Sequence, residues 1–250
     1  MPTQREVYFS IDVVNYAMVS DEKEVVLVQG DSLTLPHDSV PYLYTWPGLL
    51  QRDLDEFHVV NVGQSEKTTA DFSGRLNVHQ KRELEYYEPQ IVVVQVGIVD
   101  CAPRYFRKWE KQLLDLIPVH TVSDGLFFLA KHLRSRSERR SYVDRPTFRA
   151  NLESYCHRAE KSGVDRIVLV KILQPGTTYS EKNPRIEESI SSYNAIIEDV
   201  ADQFSNAETL RPLADDPTAE KAVIEENTLS DGYHLNRKGH RRLFERLPFV

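Results

Sequence analysis

The 250-residue chain has only two cysteines, Cys101 and Cys156. Their separation fits neither a CxxC motif nor a zinc-ligand spacing. That excludes a disulfide framework and makes a reducing compartment the simplest expectation. The chain also lacks any apolar run long enough to span a bilayer. Its opening residues, Met1–Glu6, have neither the basic nor the apolar region of a secretory leader. A soluble, cytoplasmic protein with no membrane partner is expected. Basic residues do not predominate: the formal net charge is -7, which gives no general attraction to nucleic acid. There is no Gly-x-x-x-x-Gly-Lys loop, no Gly-x-Gly-x-x-Gly turn and no His-Glu-x-x-His pair. The Gly-x-Ser-x-Gly elbow of the usual α/β hydrolases is missing too.

Four short runs of valine and isoleucine stand out: Glu24–Gln29, Phe57–Val62, Ile91–Val96 and Arg166–Ile172. Continuous apolar runs of this length suit parallel strands covered on both faces. Helical spacing lies between and after them, at Tyr42–Asp55 (with a break expected at Pro47), Thr68–Tyr87, Pro146–Ser162 and Ile186–Phe204. Alternation of this kind predicts a three-layer α/β/α sandwich around a mainly parallel sheet. One domain over residues 1–250 is expected, with a helical insertion at about 105–144, because the connection after the third strand is too long for a simple crossover. The insertion carries two helix-like pieces, Tyr105–Leu116 and Gly125–Arg140, and a basic run, Lys131–Arg140. A further early strand is conceivable at Val7–Val14.

The loops after the strands carry the chemistry. In open α/β sheets, sites form beyond the carboxyl ends of the strands. The first run leads into Gly30-Asp31-Ser32-Leu33, the second into Asn61-Val62-Gly63-Gln64 and the third into Gly97-Ile98-Val99-Asp100. Near the C-terminus stands Asp231-Gly232-Tyr233-His234. A serine hydroxyl is a poor nucleophile until a base takes its proton, and histidine is suited to that near neutral pH. A carboxylate fixes the imidazole tautomer and stabilises the imidazolium. Asp231 and His234 are three residues apart, so one turn can direct both towards one serine. Backbone N–H groups at Ser32 and Gly63 are placed to stabilise an oxyanion.

In these blocks the chain resembles the SGNH hydrolases, also called the GDSL family. Gly30-Asp31-Ser32-Leu33 follows an early apolar strand, Gly63 matches the second block, and Asp231-x-x-His234 matches the fourth. The helix containing Ser191-Ser192-Tyr193-Asn194 looks like the family's penultimate helix. The third block departs from the pattern, because Val99 occupies the position of the family's oxyanion-hole asparagine. Arg104, five residues on, is a candidate substitute donor. The resemblance implies a flavodoxin-like SGNH fold and ester hydrolysis through an acyl-Ser32 intermediate, with His234 as base and Asp231 as its partner. It implies no metal and no organic cofactor. The implied substrate is a small-molecule or glycan ester, with an O-acetyl, carbohydrate-linked ester preferred by analogy. An anionic substrate would suit Arg104 and the basic run, and Asp31 and Asp100 are further candidates for substrate contact. The alternatives are an acyltransferase using the same residues, and a non-catalytic module that binds a glycan or a protein. Oligomeric state is open.

Each residue also has a plainer reading. Ser32 suits a helix N-cap, Asp231 an Asx turn, and Gly63 a turn with positive φ. His240 reads as structural. His37, His58, His79, His120, His132 and His157 show no partner spacing. Cys101 lies near the blocks but reads as a small buried hydrophobe.

Overall fold

The computed structural model describes residues 23–37, 39–73, 82–104 and 141–250. Its centre is a five-stranded sheet with strand order β2-β1-β3-β4-β5 and every pairing parallel. The strands are β1 (Glu24–Gly30), β2 (Phe57–Asn61), β3 (Ile91–Gln95), β4 (Arg166–Val170) and β5 (Ala207–Leu210). This is the flavodoxin-like order, in which the chain reverses direction of travel between β1 and β3. The central strands are closed to solvent on both faces. Val26, Leu27, Val28, Val92, Val93, Ile167 and Val168 all have no exposed surface, which is why their sequence reads as unbroken apolar runs rather than as an alternation.

The helices are α1 (Trp46–Asp53), α2 (Glu83–Tyr87), α3 (Ile98–Cys101), α4 (Arg145–Lys161), α5 (Thr177–Lys182), α6 (Ile186–Ala201), α7 (Pro217–Asn227) and α8 (Arg237–Phe244) among the described residues. On one face α4 packs on α6, which also meets α3; on the other, α8 packs on α1 and α7. The outcome is the expected α/β/α sandwich. Pro47 begins α1 rather than breaking a longer helix. Thr45 caps the helix by accepting from Gly48 N–H at 3.3 Å, and a proline in the first turn removes an N–H that has no partner there anyway. Asp144 caps α4 in the same way, accepting from Thr147 N–H at 2.9 Å.

The second, third and fourth runs expected as strands end one or two residues early, because the chain leaves the sheet to build the site, whereas the first extends one residue further, to Gly30. Four elements escaped the sequence reading, among them the one-turn helix α3, which lies where a loop was expected. Strand β5 is four residues, Ala-Glu-Thr-Leu, too short and too polar to signal itself. Helices α5 and α7 lie in stretches with little apolar periodicity. The possible strand at Val7–Val14, the helix-like pieces Tyr105–Leu116 and Gly125–Arg140, the basic run Lys131–Arg140 and the middle of the expected Thr68–Tyr87 helix lie outside the described residues. Residues 69–73 form a 3-10 turn, and α2 accounts for the end of that stretch. No described helix is long and apolar enough to cross a membrane.

Candidate active site

Because all five strands are parallel, the loops leaving β1, β2, β3 and β4 emerge at one edge of the sheet. Ser32 opens a 3-10 turn directly after β1. Asp31 caps that turn, its carboxylate accepting from Leu33 N–H at 3.0 Å. Asp31 N–H in turn donates to Gln95 O at the end of β3, at 3.1 Å. Ser32 is thereby anchored to two adjacent strands while its own side chain stays partly exposed.

The turn between α7 and α8 brings the histidine. Asp231 Oδ1 accepts from the backbone N–H groups of Tyr233, at 2.9 Å, and His234, at 3.0 Å. This Asx turn is the plain role expected of Asp231, and it coexists with a second one. Oδ2 of the same carboxylate meets His234 Nδ1 at 2.6 Å. Gly232 sits at φ 73° between them, a conformation that a side chain would strain. Gly176 N–H donates to Gly232 O at 2.7 Å, and Thr228 pairs with Leu235, so the turn is fastened to the loop after β4 and closed across its own base. The far nitrogen of the ring, Nε2, lies 3.0 Å from Ser32 Oγ. Two residues 202 positions apart are thus in hydrogen-bond contact. With Nδ1–H donated to the carboxylate, Nε2 carries the lone pair that faces the hydroxyl. Burial pushes the Asp231 carboxyl up, but the hydrogen bonds from the His234 ring and the two backbone N–H groups outweigh it and hold Asp231 below the usual carboxylate value.

The other residues singled out from the sequence have different surroundings. Gly63 does not adopt a positive φ. It is required by close approach, since a Cβ there would lie 2.2 Å from Thr34 Oγ1. Its N–H donates to Asn61 Oδ1 at 3.0 Å, and Asn61 Nδ2 donates to Thr34 O at 2.8 Å. The N–H assigned to an oxyanion is therefore already engaged. Val99, on α3, is 5% exposed and belongs to the apolar core. Arg104 makes no ion pair among the described residues. Its guanidinium carbon lies 5.4 Å from the centre of the Tyr142 ring, and its Nε is buried without a hydrogen-bond partner.

Asp31 and Asp100 do not serve as substrate contacts. They are 1% and 0% exposed, so no ligand can reach them. Asp100 instead accepts from Thr69 N–H at 2.9 Å and Thr69 Oγ1 at 2.6 Å, tying the loop after β2 to α3. Burial raises both carboxyls, Asp31 to about 7 and Asp100 to about 6, and the Asp100 charge adds to the effect on Asp31. A carboxyl whose folded pKa lies above its unfolded value of 3.8 contributes stability at low pH that is lost as pH rises towards 7. Asp31→Asn keeps an oxygen for Leu33 N–H and cannot ionise. Its thermal stability is expected to gain on that of wild type by about 3 kcal/mol between pH 4 and pH 7. A difference that stays constant across calorimetric scans in that range refutes the assignment.

Two histidines missed or undervalued by the sequence lie beside the site. His37, exposed, stands five residues past Ser32, and its ring centre is 4.9 Å from that of His234. Nothing in its spacing signals this. His240 is buried under α1, where its Nδ1 accepts from Trp46 N–H at 3.2 Å. Trp46 Nε1 continues the link to Gln95 Oε1 at 2.7 Å. A cavity of about 470 Å³ lies between the starts of α4 and α6. Its lining includes Cys101, Arg145 and Arg185 but also Asp144 and Glu188, so the charge there is balanced and favours no anion.

The sequence profile of the GDSL-like lipase/acylhydrolase family matches residues 28–242, a span holding all four blocks. A comparison with curated proteins gives no match. Among solved structures, the fold is similar to that of a lipase/acylhydrolase from Enterococcus faecalis, with TM-score 0.57 and 20% identity over 89% of this chain and 92% of that one. It is similar to Axe2, an acetylxylan esterase from Geobacillus stearothermophilus solved as a catalytic mutant, with TM-score 0.57 and 17% identity over 89% and 91%. It is also similar to TesA, with TM-score 0.54 and 21% identity over 89% and 95%. At these identities the structural likeness is one of fold; the profile match, which covers most of the chain, settles the kinship. This chain belongs to the GDSL-like lipase/acylhydrolase family.

Proposed function

We propose that the chain is a serine-dependent ester hydrolase working through an acyl-Ser32 intermediate. The observation that carries this reading is the unbroken path from Ser32 Oγ through His234 to Asp231, with contacts of 3.0 and 2.6 Å. As Oγ attacks the ester carbonyl carbon, its proton passes to His234 Nε2, and the Asp231 carboxylate stabilises the resulting imidazolium. His234 then gives that proton to the departing alkoxide. Water follows the same route in reverse, losing its proton to Nε2 as it attacks the acyl carbon, and Ser32 is restored.

The oxyanion is the weaker part of the arrangement. Ser32 N–H stands at the first position of its turn, where an N–H has no partner within the turn. Gly63 N–H becomes a second donor only if Asn61 Oδ1 releases it. The Val99 side chain has no donor to give. A missing donor costs roughly 10²–10³ in kcat, so slow turnover is expected. Arg104, with its unpartnered Nε, is the basic side chain proposed to lie closest to the reacting ester.

For substrate we propose a short acyl ester of a carbohydrate or similar alcohol. Axe2, of like fold, is an acetylxylan esterase. The segment after the nucleophile turn exposes Tyr42, Leu43 and Tyr44, the kind of surface on which a sugar ring or acyl chain rests. The test is treatment with a fluorophosphonate, followed by intact-mass spectrometry and a screen of p-nitrophenyl esters and acetylated sugars. An adduct on wild type that is absent from Ser32→Ala, with hydrolysis favouring short acyl groups, is the expected outcome. Equal labelling of both proteins, or none of either with no hydrolysis, overturns the proposal in favour of a binding module.

A further inference from the structure

We infer that His37, His234 and Asp231 form a site for a divalent transition-metal ion, zinc being the best fit, and that its occupation shuts the enzyme down. The inference rests on the hydrolase reading only for the word "down"; the site itself rests on geometry. One ligand atom from each of the three residues lies within 4.8 Å of the other two. Two imidazoles and a carboxylate are a borderline-soft donor set that suits zinc, copper or nickel and disfavours magnesium and calcium.

His37 is held there by its backbone. Its N–H donates to Val40 O at 3.0 Å, and its carbonyl accepts from Val40 N–H at 2.7 Å. The ring projects from this clamp over His234, tilted 33° to it. Zinc with bonds of about 2.0–2.2 Å needs tetrahedral ligands roughly 3.3–3.6 Å apart. The His37 ring must therefore swing inward by about an ångström, which an exposed side chain does by rotation alone. Asp231 Oδ2 and His234 Nδ1, 2.6 Å apart in a hydrogen bond, must release their shared proton and part by about an ångström if both are to ligate the ion. With all three residues bound the fourth position is open to water, and Ser32 Oγ lies beside an ion only where that ion sits on His234 Nε2.

Two modes of occupation exist, and both silence the base. If the ion takes His234 Nε2, Asp231 keeps its hydrogen bond to Nδ1 and acts as the carboxylate that orients a metal-bound imidazole. Ser32 then loses its proton acceptor. If the ion instead takes the Asp231 carboxylate and Nδ1, the ring loses the partner that orients it. His37 contributes nothing to the acyl-transfer steps, so its removal leaves basal activity in place while weakening the metal site.

The experiment uses zinc sulfate in a non-chelating buffer with the untagged full chain. Binding is read by equilibrium dialysis, and hydrolysis is read in parallel on one p-nitrophenyl ester. Wild type is expected to bind zinc, to lose hydrolysis as it does so, and to recover on addition of a chelator, with no response to magnesium. His37→Ala should hydrolyse at the wild-type rate and bind zinc at least about tenfold more weakly, the smallest loss usual even for an outer-shell partner. His234→Ala should lose binding as well. Dialysis that finds equal affinity in wild type and His37→Ala overturns the site, whatever the hydrolysis assay gives. Zinc bound through His37 without loss of hydrolysis overturns the inhibitory role. A metal-free wild type that hydrolyses nothing counts against the hydrolase reading alone, because dialysis still decides the site.

Discussion

Ser32→Ala is expected to lower kcat/KM for a short ester by at least about 10⁴-fold, and His234→Ala by a similar factor, since a nucleophile and its base fail as a unit. The double variant should then be little worse than either single one. Asp231→Asn should cost somewhat less, because the amide still holds the turn through Tyr233 N–H and His234 N–H. What it loses is the carboxylate at Nδ1. An amide that presents its own N–H there forces the wrong tautomer and points a proton, not a lone pair, at Ser32 Oγ. Steady-state kinetics on the four proteins decide the matter. Losses of Ser32 and His234 that multiply would show that the 3.0 Å contact between them is not used as a proton path. Exposure of the triad limits how far stability enters: Ser32 and His234 are both partly exposed, so neither substitution empties the core, and melting temperatures should stay near wild type.

Acid should unfold the protein through His240. Burial, with a smaller contribution from the His234 charge, lowers its pKa from 6.5 to about 3. The ring is 2% exposed, and its Nδ1 must stay unprotonated to accept from Trp46 N–H. A folded pKa below the unfolded one means that the unfolded chain takes up the proton first. The stability is fully present above pH 6.5 and is lost as pH falls towards 3. The loss amounts to about 2 kcal/mol at pH 5 and about 3 kcal/mol at pH 4, or several degrees in melting temperature for a chain of this size. Asp31 and Asp100 act with the opposite sign over part of this range, since both are raised. The effect is therefore read as a difference between wild type and His240→Asn, whose amide oxygen replaces Nδ1 and does not titrate. That variant should be the less stable at pH 7, having lost ring volume, and should close the gap as pH falls. Parallel curves from pH 7 to pH 4 would mean that His240 is not held neutral. Because Trp46 continues to Gln95 at the end of β3, the same protonation should loosen the strand that anchors Asp31.

Much of this was written in local sequence. The four apolar runs became β1 to β4 because a strand buried on both faces needs no polar positions, and that leaves a mark a few residues long. The Asp231–His234 turn was legible for a similar reason: its hydrogen bonds span two and three residues, so spacing alone encodes it. The capping prolines of α1 and α4 belong to the same class, although Pro47 was misread as a break because a helix start and a helix kink look alike without the partner of Thr45. The family blocks identified Ser32 and His234 as candidates through order along the chain rather than through any contact between them.

Other features depended on groups that meet only when the sheet assembles. Gly63 looked like a free donor until Asn61 folded back on it. Asp31 and Asp100 looked available to substrate, yet burial beneath the loops turned them into posts that hold Leu33 and Thr69. Strand β5 exists because β4 offers an open edge, not because its four residues favour extension. His37 and His240 carried no spacing signal, since their partners lie 197 positions on, at His234, and 194 positions back, at Trp46. The sequence by itself determined strands β1 to β4 and the turn that holds the histidine, because periodicity and short-range hydrogen bonds are local, while the candidate nucleophile followed from the resemblance of its block to the family's. Only the tertiary structure decided which donors are free, which carboxyls are dry and which imidazoles face one another, because burial and long-range contact belong to the packed chain.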